Sequence, residues 1–329
     1  MRSRTSMLFL ALSALTLLLF ALDLCVGSVN ISLSDVVAAL AFRDCDPAVA
    51  RIVLNIRLVK AIVAVLAGAA LSVSGLQMQT LFRNPLAGPY VLGISSGASL
   101  GVAAFLLGAP LLGLAGFSSV VGLTGAAWIG AALVLTVVGM AAHRIKDIMV
   151  ILILGMMFSS GVGAIVQIFQ YLSKEEALKS YVIWTMGSLG EVTTSQLPLL
   201  VGAVAVGMVL AVICIKPLNL LLFGEEYALT MGLNLRRARL LLFVSTVFLA
   251  GTVTAYCGPI GFIGLAMPHL TSMLFSDRDH RILIPGTVLT GASVLLLCDI
   301  ISKLYTLPVN AITALLGIPV VVWIVLRNK

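Results

Sequence analysis

The 329-residue sequence has little charge. Asp, Glu, Lys and Arg make up 10% of its residues, whereas soluble domains carry roughly 25%, and hydrophobic residues make up 60%. This composition excludes a soluble fold and predicts a polytopic, all-α integral membrane protein. The net charge of +7 does not indicate nucleic-acid binding, because Lys and Arg mostly flank the apolar runs, as they do in membrane proteins.

Cysteine and histidine are scarce and poorly spaced for chemistry. None of the five cysteines forms a C-x-x-C pair or lies at ligand spacing from a histidine, so we predict no metal site and no redox motif. The three histidines are interpreted as loop or packed residues. Cys25 and Cys45 could face an oxidising compartment together, and a disulfide between them is left open.

The residues of an enzyme are also missing. The sequence has no G-x-x-x-x-G-K-[ST] loop, so any ATP would be hydrolysed by another chain. No nucleophile, base and orienting group come together, so we assign no catalytic residue and disfavour an intramembrane hydrolase. Asp23, Glu191 and Asp299 fall near the ends of apolar runs rather than at their middles, which disfavours ion-coupled transport.

Apolar runs predict about ten transmembrane helices in a single domain, residues 1–329. Eight runs are long enough to cross about 30 Å of hydrocarbon, and two are shorter. The long runs lie at about 8–27, 50–81, 117–142, 147–171, 195–215, 236–256, 282–304 and 309–326, and the short ones at about 91–108 and 259–275. The first run also fits a signal peptide, but no clear cleavage site follows it, so we predict a retained span.

An even number of spans puts both termini on one side of the membrane. Placing the termini in the cytoplasm puts most of the twenty Lys and Arg residues on the inner side, as the positive-inside rule requires. The polar segment 216–239 is then cytoplasmic.

The polar segment (residues 216–239) predicts two short helices. Gly224 can turn the chain, and Glu225 and Glu226 suit the first turn of a helix that Gly232 can end in the left-handed conformation. Asn234 can then cap a second short helix, which runs through Arg236, Arg237 and Arg239 into the next apolar run. We interpret the segment as a rigid knob that passes a push to the spans, the alternative being a solvated loop with an acidic face and a basic anchor.

Three cations lie unusually close to span ends on the outer side. Arg57 and Lys60 start the second span and Lys303 ends the ninth. They are either snorkelling anchors or a docking patch for an acidic partner.

Glycines mark the two short runs and a faint internal repeat, about 57–108 and 240–275. Leu66-Ala67-Gly68, Gly75 and Pro85 recur at the same spacing as Leu249-Ala250-Gly251, Gly258 and Pro268. Gly93, Gly97 and Gly101 form overlapping GxxxG patterns that favour close helix approach. The Gly258–Gly264 stretch predicts a broken span, which must be buried in protein or line a cavity. A short outer helix hinged at Gly187 and Gly190 could act as a gate.

Several motifs, in order along nearly the whole chain, resemble one family. They are Arg83-Asn84-Pro85-Leu86-Ala87 with Gly93-Ile-Ser-Ser-Gly97-Ala98, Trp184-Thr-Met-Gly187-Ser188-Leu189, Gly224-Glu225-Glu226-Tyr227-Ala228 through Gly232, Gly258-Pro259-Ile-Gly261-Phe-Ile-Gly264, Pro268-His269 and Thr313-Ala314-Leu315-Leu316-Gly317-Ile-Pro319. The sequence resembles the FecCD-type permease subunits of ABC importers for iron-siderophores, haem and vitamin B12.

The resemblance implies a type II ABC importer permease that works as a homodimer by alternating access. It implies two cytoplasmic ATPase subunits, which carry ATP and Mg, and a periplasmic or lipid-anchored substrate-binding protein. The chain itself would bind no cofactor and would lie in the bacterial cytoplasmic (inner) membrane. A stand-alone secondary transporter or channel is the alternative.

The resemblance also assigns residues. Coupling to the ATPase falls on Gly224, Glu225, Glu226, Tyr227, Ala228, Leu229, Met231 and Gly232, and docking of the binding protein on Arg57, Lys60 and Lys303. Candidates for the pathway or gate are Gln77, Met78, Ser95, Ser96, Trp184 and Met186. Thr306-Leu-Pro308-Val-Asn310 departs from the usual Glu-Leu/Ile-Pro-Val-Gly, which leaves haem, ferric siderophore and cobalamin open as substrates.

Overall fold

A computed structural model describes residues 2–43, 45–109, 120–145 and 147–327 of the chain. Within these ranges the regular structure is helical, with no strand. The start of the predicted span 117–142 lies outside the described residues. The all-α fold class is confirmed.

Sixteen α-helices are described in these ranges. They are α1 (Arg2–Cys25), α2 (Leu33–Leu40), α3 (Pro47–Ile52), α4 (Leu58–Phe82), α5 (Ile94–Ala103), α6 (Val120–Arg144), α7 (Ile148–Leu172), α8 (Glu175–Thr185), α9 (Leu197–Ile213), α10 (Ile215–Leu221), α11 (Glu225–Thr230), α12 (Leu235–Thr246), α13 (Thr252–Cys257), α14 (Ile263–Phe275), α15 (His280–Tyr305) and α16 (Val309–Arg327). A 3₁₀ turn (Pro89–Leu92) precedes α5.

Three π-helical segments continue the α-helices. Val53–Arg57 joins α3 to α4, Ala104–Gly108 follows α5, and Val247–Gly251 joins α12 to α13. Among the described residues, six continuous helices are long and apolar enough to cross a membrane, and the pair α9 and α10, bent by 51°, makes a seventh. The shorter apolar helices are α5 with its π segment, α14 and α16. Each of the ten predicted spans therefore contains a helix within the described residues.

Helix α4 lies at the centre of the molecule and packs against α14 and α15. Glycines allow the contact. A Cβ added at Gly68 would lie 2.3 Å from the carbonyl oxygen of Gly291, and one at Gly75 would lie 1.6 Å from that of Gly264. Most α4 side chains are buried, so this helix is surrounded by protein rather than lipid.

Helix α5 approaches α6 just as closely, as its GxxxG patterns predict. A Cβ at Gly97 would lie 2.5 Å from the carbonyl oxygen of Gly130, and one at Gly101 would lie 2.0 Å from that of Ala126. The predicted close approach of a second helix is confirmed.

The predicted repeat does not reappear as matched local structure. Gly75 lies inside α4, whereas Gly258 follows the end of α13 with φ of 72°. Pro85 lies outside a helix, whereas Pro268 lies inside α14. The repeat stays a prediction.

The sequence leaves undecided whether Cys25 and Cys45 form a disulfide. In the structure both are free thiols.

Candidate functional site

A non-helical break between α13 and α14 interrupts the membrane-embedded region. Gly258 and Phe262 have positive φ values of 72° and 65°, and Ile260 between them is fully buried. A backbone free of helical hydrogen bonds is costly in hydrocarbon, because no water can satisfy its N–H and C=O groups. The broken span predicted at Gly258–Gly264 is therefore present, and its residues are buried or half-buried.

Three groups from distant parts of the chain satisfy this break. The Ser188 N–H donates to the Cys257 carbonyl (2.8 Å), the Tyr90 hydroxyl donates to the Ile260 carbonyl (2.9 Å), and the Gly261 N–H donates to the Asn310 side-chain oxygen (2.9 Å). Through Ser188, the segment after α8 is bonded to the break. That segment turns at Gly187, with φ of 72°, where the sequence predicts a hinge.

Arg57 is turned inward and caps α1. Its Nη1 donates to the carbonyls of Leu24 and Cys25, both at 2.9 Å, and its Nη2 donates to the carbonyl of Val29. The last carbonyls of a helix have no intrahelical partner, so the guanidinium satisfies the end of α1. The side chain is nevertheless a lining residue of a cavity of about 290 Å³.

Lys60 and Lys303 are paired with carboxylates of their own chain. The Lys303 ammonium lies 2.7 Å from Asp23 Oδ2 and 3.0 Å from Asp299 Oδ2, and the Lys60 ammonium lies 2.9 Å from Asp299 Oδ1. Both aspartates are completely buried. The cation cluster (Arg57, Lys60 and Lys303) thus joins α1, α4 and α15. Its assignment to docking stays a prediction.

The six pathway candidates divide into two groups. Gln77 and Met78 are completely buried, and Gln77 donates to the Ser245 hydroxyl at 3.0 Å, which ties α4 to α12. In this conformation neither offers a surface to a substrate. Trp184 and Met186 are reachable, since Trp184 lines a cavity of about 220 Å³ and Met186 is exposed.

Ser95 and Ser96, the remaining pathway candidates, are half-buried in the first turn of α5. Beside the Trp184 cavity lies a second one of about 570 Å³, and the two share Thr124 and Tyr256 among their lining residues. The pathway assignments stay predictions.

The polar segment (residues 216–239) folds largely as its sequence indicates. Gly224 has φ of 104° before α11, and Gly232 after α11 has φ of 82°. The Asn234 side chain accepts from the Arg237 N–H at 3.1 Å and caps α12. The helix that Asn234 caps runs into the following apolar run, as predicted, and α12 is the first part of that span rather than a separate short helix. One tight turn therefore joins α11 to that span.

Glu225 and Arg239 join α11 to α12. Arg239 is buried and donates from Nη2 to both Glu225 carboxylate oxygens, at 2.6 and 2.8 Å, and from Nη1 to the Ile145 carbonyl at 3.4 Å. The α6–α7 loop, which contains Ile145, is thus bonded to the same arginine. Glu225 holds the segment together rather than facing outward.

The other side of α11 is exposed and partly apolar. Ala228 and Gly224 face inward. The exposed side chains are those of Phe223, Glu226, Tyr227, Leu229, Thr230 and Met231. The Phe223 and Tyr227 rings lie 5.3 Å apart. An exposed apolar patch at a membrane protein's polar end is typical of a protein-binding surface.

A buried polar network lies behind the polar segment. The Asn219 side-chain oxygen accepts from the His280 N–H at 2.9 Å and lies 2.7 Å from His280 Nδ1, while His280 Nε2 lies 3.0 Å from the Thr80 hydroxyl. The Asn219 amide donates to Asp279 at 2.7 Å. Hydrogen bonds from the Arg281 N–H and from Asn219 lower the pKa of Asp279. The interpretation of His280 as a packed residue is confirmed.

Sequence reasoning missed the partners of these residues. It noted Asp23 and Asp299 only as acids near span ends, and Asn310 only as a departure from a pattern. The one available signal was charges of opposite sign near the ends of different spans. Among the described residues, no group of three or more His, Cys, Asp or Glu side chains could hold a metal ion.

Comparison with known proteins gives consistent matches over nearly the whole chain. The profile of the FecCD transport family matches residues 15–327. The hemin transport system permease protein HmuU of Yersinia pestis is 37% identical over 327 residues, covering 95% of each chain. The vitamin B12 import system permease protein BtuC of Salmonella paratyphi A is 37% identical over 327 residues, covering 97% of this chain and 94% of that one.

A solved structure supports the same relationship. An inward-facing conformation of a metal-chelate type ABC transporter superposes with a TM-score of 0.84 at 28% identity, covering 97% of this chain and 98% of that chain. The fold, the broken span and the apolar helices define a multi-pass membrane transport protein with type II ABC importer permease architecture. The chain belongs to the FecCD transport family. It is a permease subunit and not an enzyme, since ATP hydrolysis in this family belongs to a separate subunit.

Proposed function

We propose that this permease imports a metal chelate, namely haem, a ferric siderophore or cobalamin, by alternating access. The relatives named above transport hemin and vitamin B12, and the structural neighbour is of metal-chelate type. We place the chain in a bacterial inner membrane with both termini in the cytoplasm, so that the polar segment is cytoplasmic. ATP and Mg would bind to the two ATPase subunits, and this chain would hold no cofactor.

The observation that carries the proposal is the two-sided character of α11. The side of α11 that faces the protein is anchored through Glu225 to Arg239, and the Asn234 cap of α12 follows α11 directly. The opposite side of α11 exposes Glu226, Tyr227 and Leu229 to solvent. A short helix that is rigid at its base and partly apolar at its surface suits a cleft of an ATPase subunit. Movement of that subunit would reach α12 without passing through a flexible linker.

Assembly as a homodimer is part of the proposal. Helix α7 is a long span that is only 22% buried over its most apolar window. Met156, Met157 and Gly161 on α7 are exposed, and no neighbouring atom lies within 4 Å of a Cβ at Gly161. Small residues on an apolar helix allow a second helix to approach closely. Mass measurement of the intact detergent-solubilised complex tests the presence of two copies.

Coupling is tested by reconstituting the permease with its ATPase and binding protein in vesicles. Glu226→Arg should abolish ATP-driven uptake and weaken ATPase binding, while the amount of permease in the membrane stays unchanged. Glu176→Arg, in the exposed first turn of α8, is the matched control and should transport normally. Normal uptake by the Glu226 variant would refute the coupling assignment.

The substrate and the energy source need separate measurements. Competition between haem, a ferric siderophore and cyanocobalamin for uptake, together with the molecule retained by the purified binding protein, identifies the cargo. Uptake by the permease alone, driven by an ion gradient without an ATPase, would instead establish a secondary transporter or channel.

A further inference from the structure

The two lysines of the cation cluster pair differently with the buried carboxylates of Asp23 and Asp299. Lys303 donates a hydrogen bond to the Asp23 side chain at 2.7 Å and another to the Asp23 carbonyl at 3.0 Å. Asp299 instead lies between the two lysines, with Oδ1 at 2.9 Å from the Lys60 ammonium and Oδ2 at 3.0 Å from the Lys303 ammonium. Asp23 is therefore paired with one lysine, whereas Asp299 is shared between two.

Lys60 is the member of the cluster that an outside group can reach. Its side chain is 20% exposed, against 8% for Lys303, and it lines the cavity of about 290 Å³ together with Arg57 and Lys303. This volume accommodates a carboxylate side chain. Three basic side chains lie here against two carboxyl groups, and this excess of basic groups favours an incoming acid.

We infer that Asp299 is an internal counter-ion of Lys60, and that a carboxylate of the docking protein exchanges with it. This inference rests on the proposed permease function and on the docking role that the family resemblance implies for the cation cluster. When Lys60 turns to the incoming carboxylate, Asp299 keeps Lys303 at 3.0 Å as a second counter-ion. An unpaired buried charge is strongly unfavourable, and Lys303, which Asp299 then shares with Asp23, limits this cost.

Competition has a consequence that a purely structural ion pair does not have. If Asp299 competes for Lys60, its removal strengthens docking, because Lys60 no longer has to leave a partner. If Asp299 only supports the fold, its removal weakens docking or leaves it unchanged. Close charge pairs across interfaces have couplings that correspond to about tenfold or more in affinity.

The experiment measures the affinity of the binding protein encoded with this permease for the full transporter in lipid nanodiscs. Asp299→Asn should bind about tenfold more tightly than the wild type. Glu176→Gln makes the same change in net charge at an exposed position outside the cluster and should bind like the wild type. Lys60→Gln should bind more weakly.

These variants distinguish the competition of Asp299 for Lys60 from the docking role of the cation cluster. Unchanged or weaker binding by Asp299→Asn, together with weaker binding by Lys60→Gln, overturns the competition and leaves docking intact. Unchanged binding by Lys60→Gln would remove the docking role itself. Equal tightening by Asp299→Asn and Glu176→Gln would also overturn the competition, since it would show a general charge effect.

A double variant covers the case in which Asp299→Asn does not assemble. Asp299→Asn with Lys303→Gln removes one buried charge of each sign, so the charge balance of the cluster is preserved. It should bind the partner more tightly than Lys303→Gln alone. Equal or weaker binding would overturn the inference.

Discussion

Arg239 donates from a single nitrogen, Nη2, to both carboxylate oxygens of Glu225, at 2.6 and 2.8 Å. The contact closes the turn between α11 and α12, and the same guanidinium reaches the Ile145 carbonyl. The base of the proposed coupling helix is therefore fixed to two other parts of the chain, whereas its exposed side remains available to a partner.

Replacing Glu225 should affect stability, and replacing its neighbour Glu226 should not. Glu225→Ala leaves the buried Arg239 without its carboxylate, at a cost of about 1.5–3 kcal/mol. Glu226→Ala removes an exposed side chain and should change stability by less than about 0.5 kcal/mol. Thermal denaturation in detergent measures both. Equal losses of stability for the two variants would contradict the assignment of Glu225 to the side of α11 that packs against the protein.

Close packing of α4 on α14 depends on Gly75. A Cβ there would lie 1.6 Å from the carbonyl oxygen of Gly264, so Gly75→Ala must push two backbones apart and should cost about 3 kcal/mol or more. Gly202→Ala in α9 is the control. No neighbouring atom lies within 4 Å of a Cβ added at Gly202, so this variant should leave the stability unchanged. The thermal stability of both variants is measured. A Gly75→Ala variant as stable as the wild type would show that α4 and α14 do not pack as closely as described.

Asn310 should be needed for the break between α13 and α14. Asn310→Ala removes the acceptor of the Gly261 N–H, and an unsatisfied buried donor costs about 1–3 kcal/mol. Asn310→Asp retains an acceptor oxygen and should preserve most of the stability. Stability of the purified permease is the readout. A harmless Asn310→Ala would mean that the Gly261 N–H has another acceptor.

Asp279 should contribute stability that depends on pH. Hydrogen bonds from the Arg281 N–H and the Asn219 amide hold its pKa below the usual range, so the folded state favours the ionised form. The contribution is present at neutral pH and is lost as the pH falls through the lowered pKa. Asp279→Asn should therefore be less stable than the wild type at pH 7, and the difference should shrink in acid. A difference that is constant with pH would contradict this.

Local features of the chain were open to sequence analysis because they depend on neighbouring residues. The apolar runs predicted the ten helical spans, since hydropathy over some twenty residues decides what can cross a bilayer. Gly224 and Gly232 marked the ends of α11, because a positive φ is easily adopted only by glycine. Asn234 marked the start of α12, because its side chain can accept from the first turn.

By itself, then, the sequence determined the fold class, the order of the spans, the positions of the breaks and the family resemblance. Only the tertiary structure decided which groups meet: Lys303 with Asp23, Gly261 with Asn310, and Gln77 with Ser245. The physical reason is that helix packing brings together side chains far apart in the chain, and hydropathy carries no information about that distance. For the same reason, the cations that the sequence places at the outer ends of spans, Arg57, Lys60 and Lys303, are bonded to carboxylates and carbonyls of their own chain.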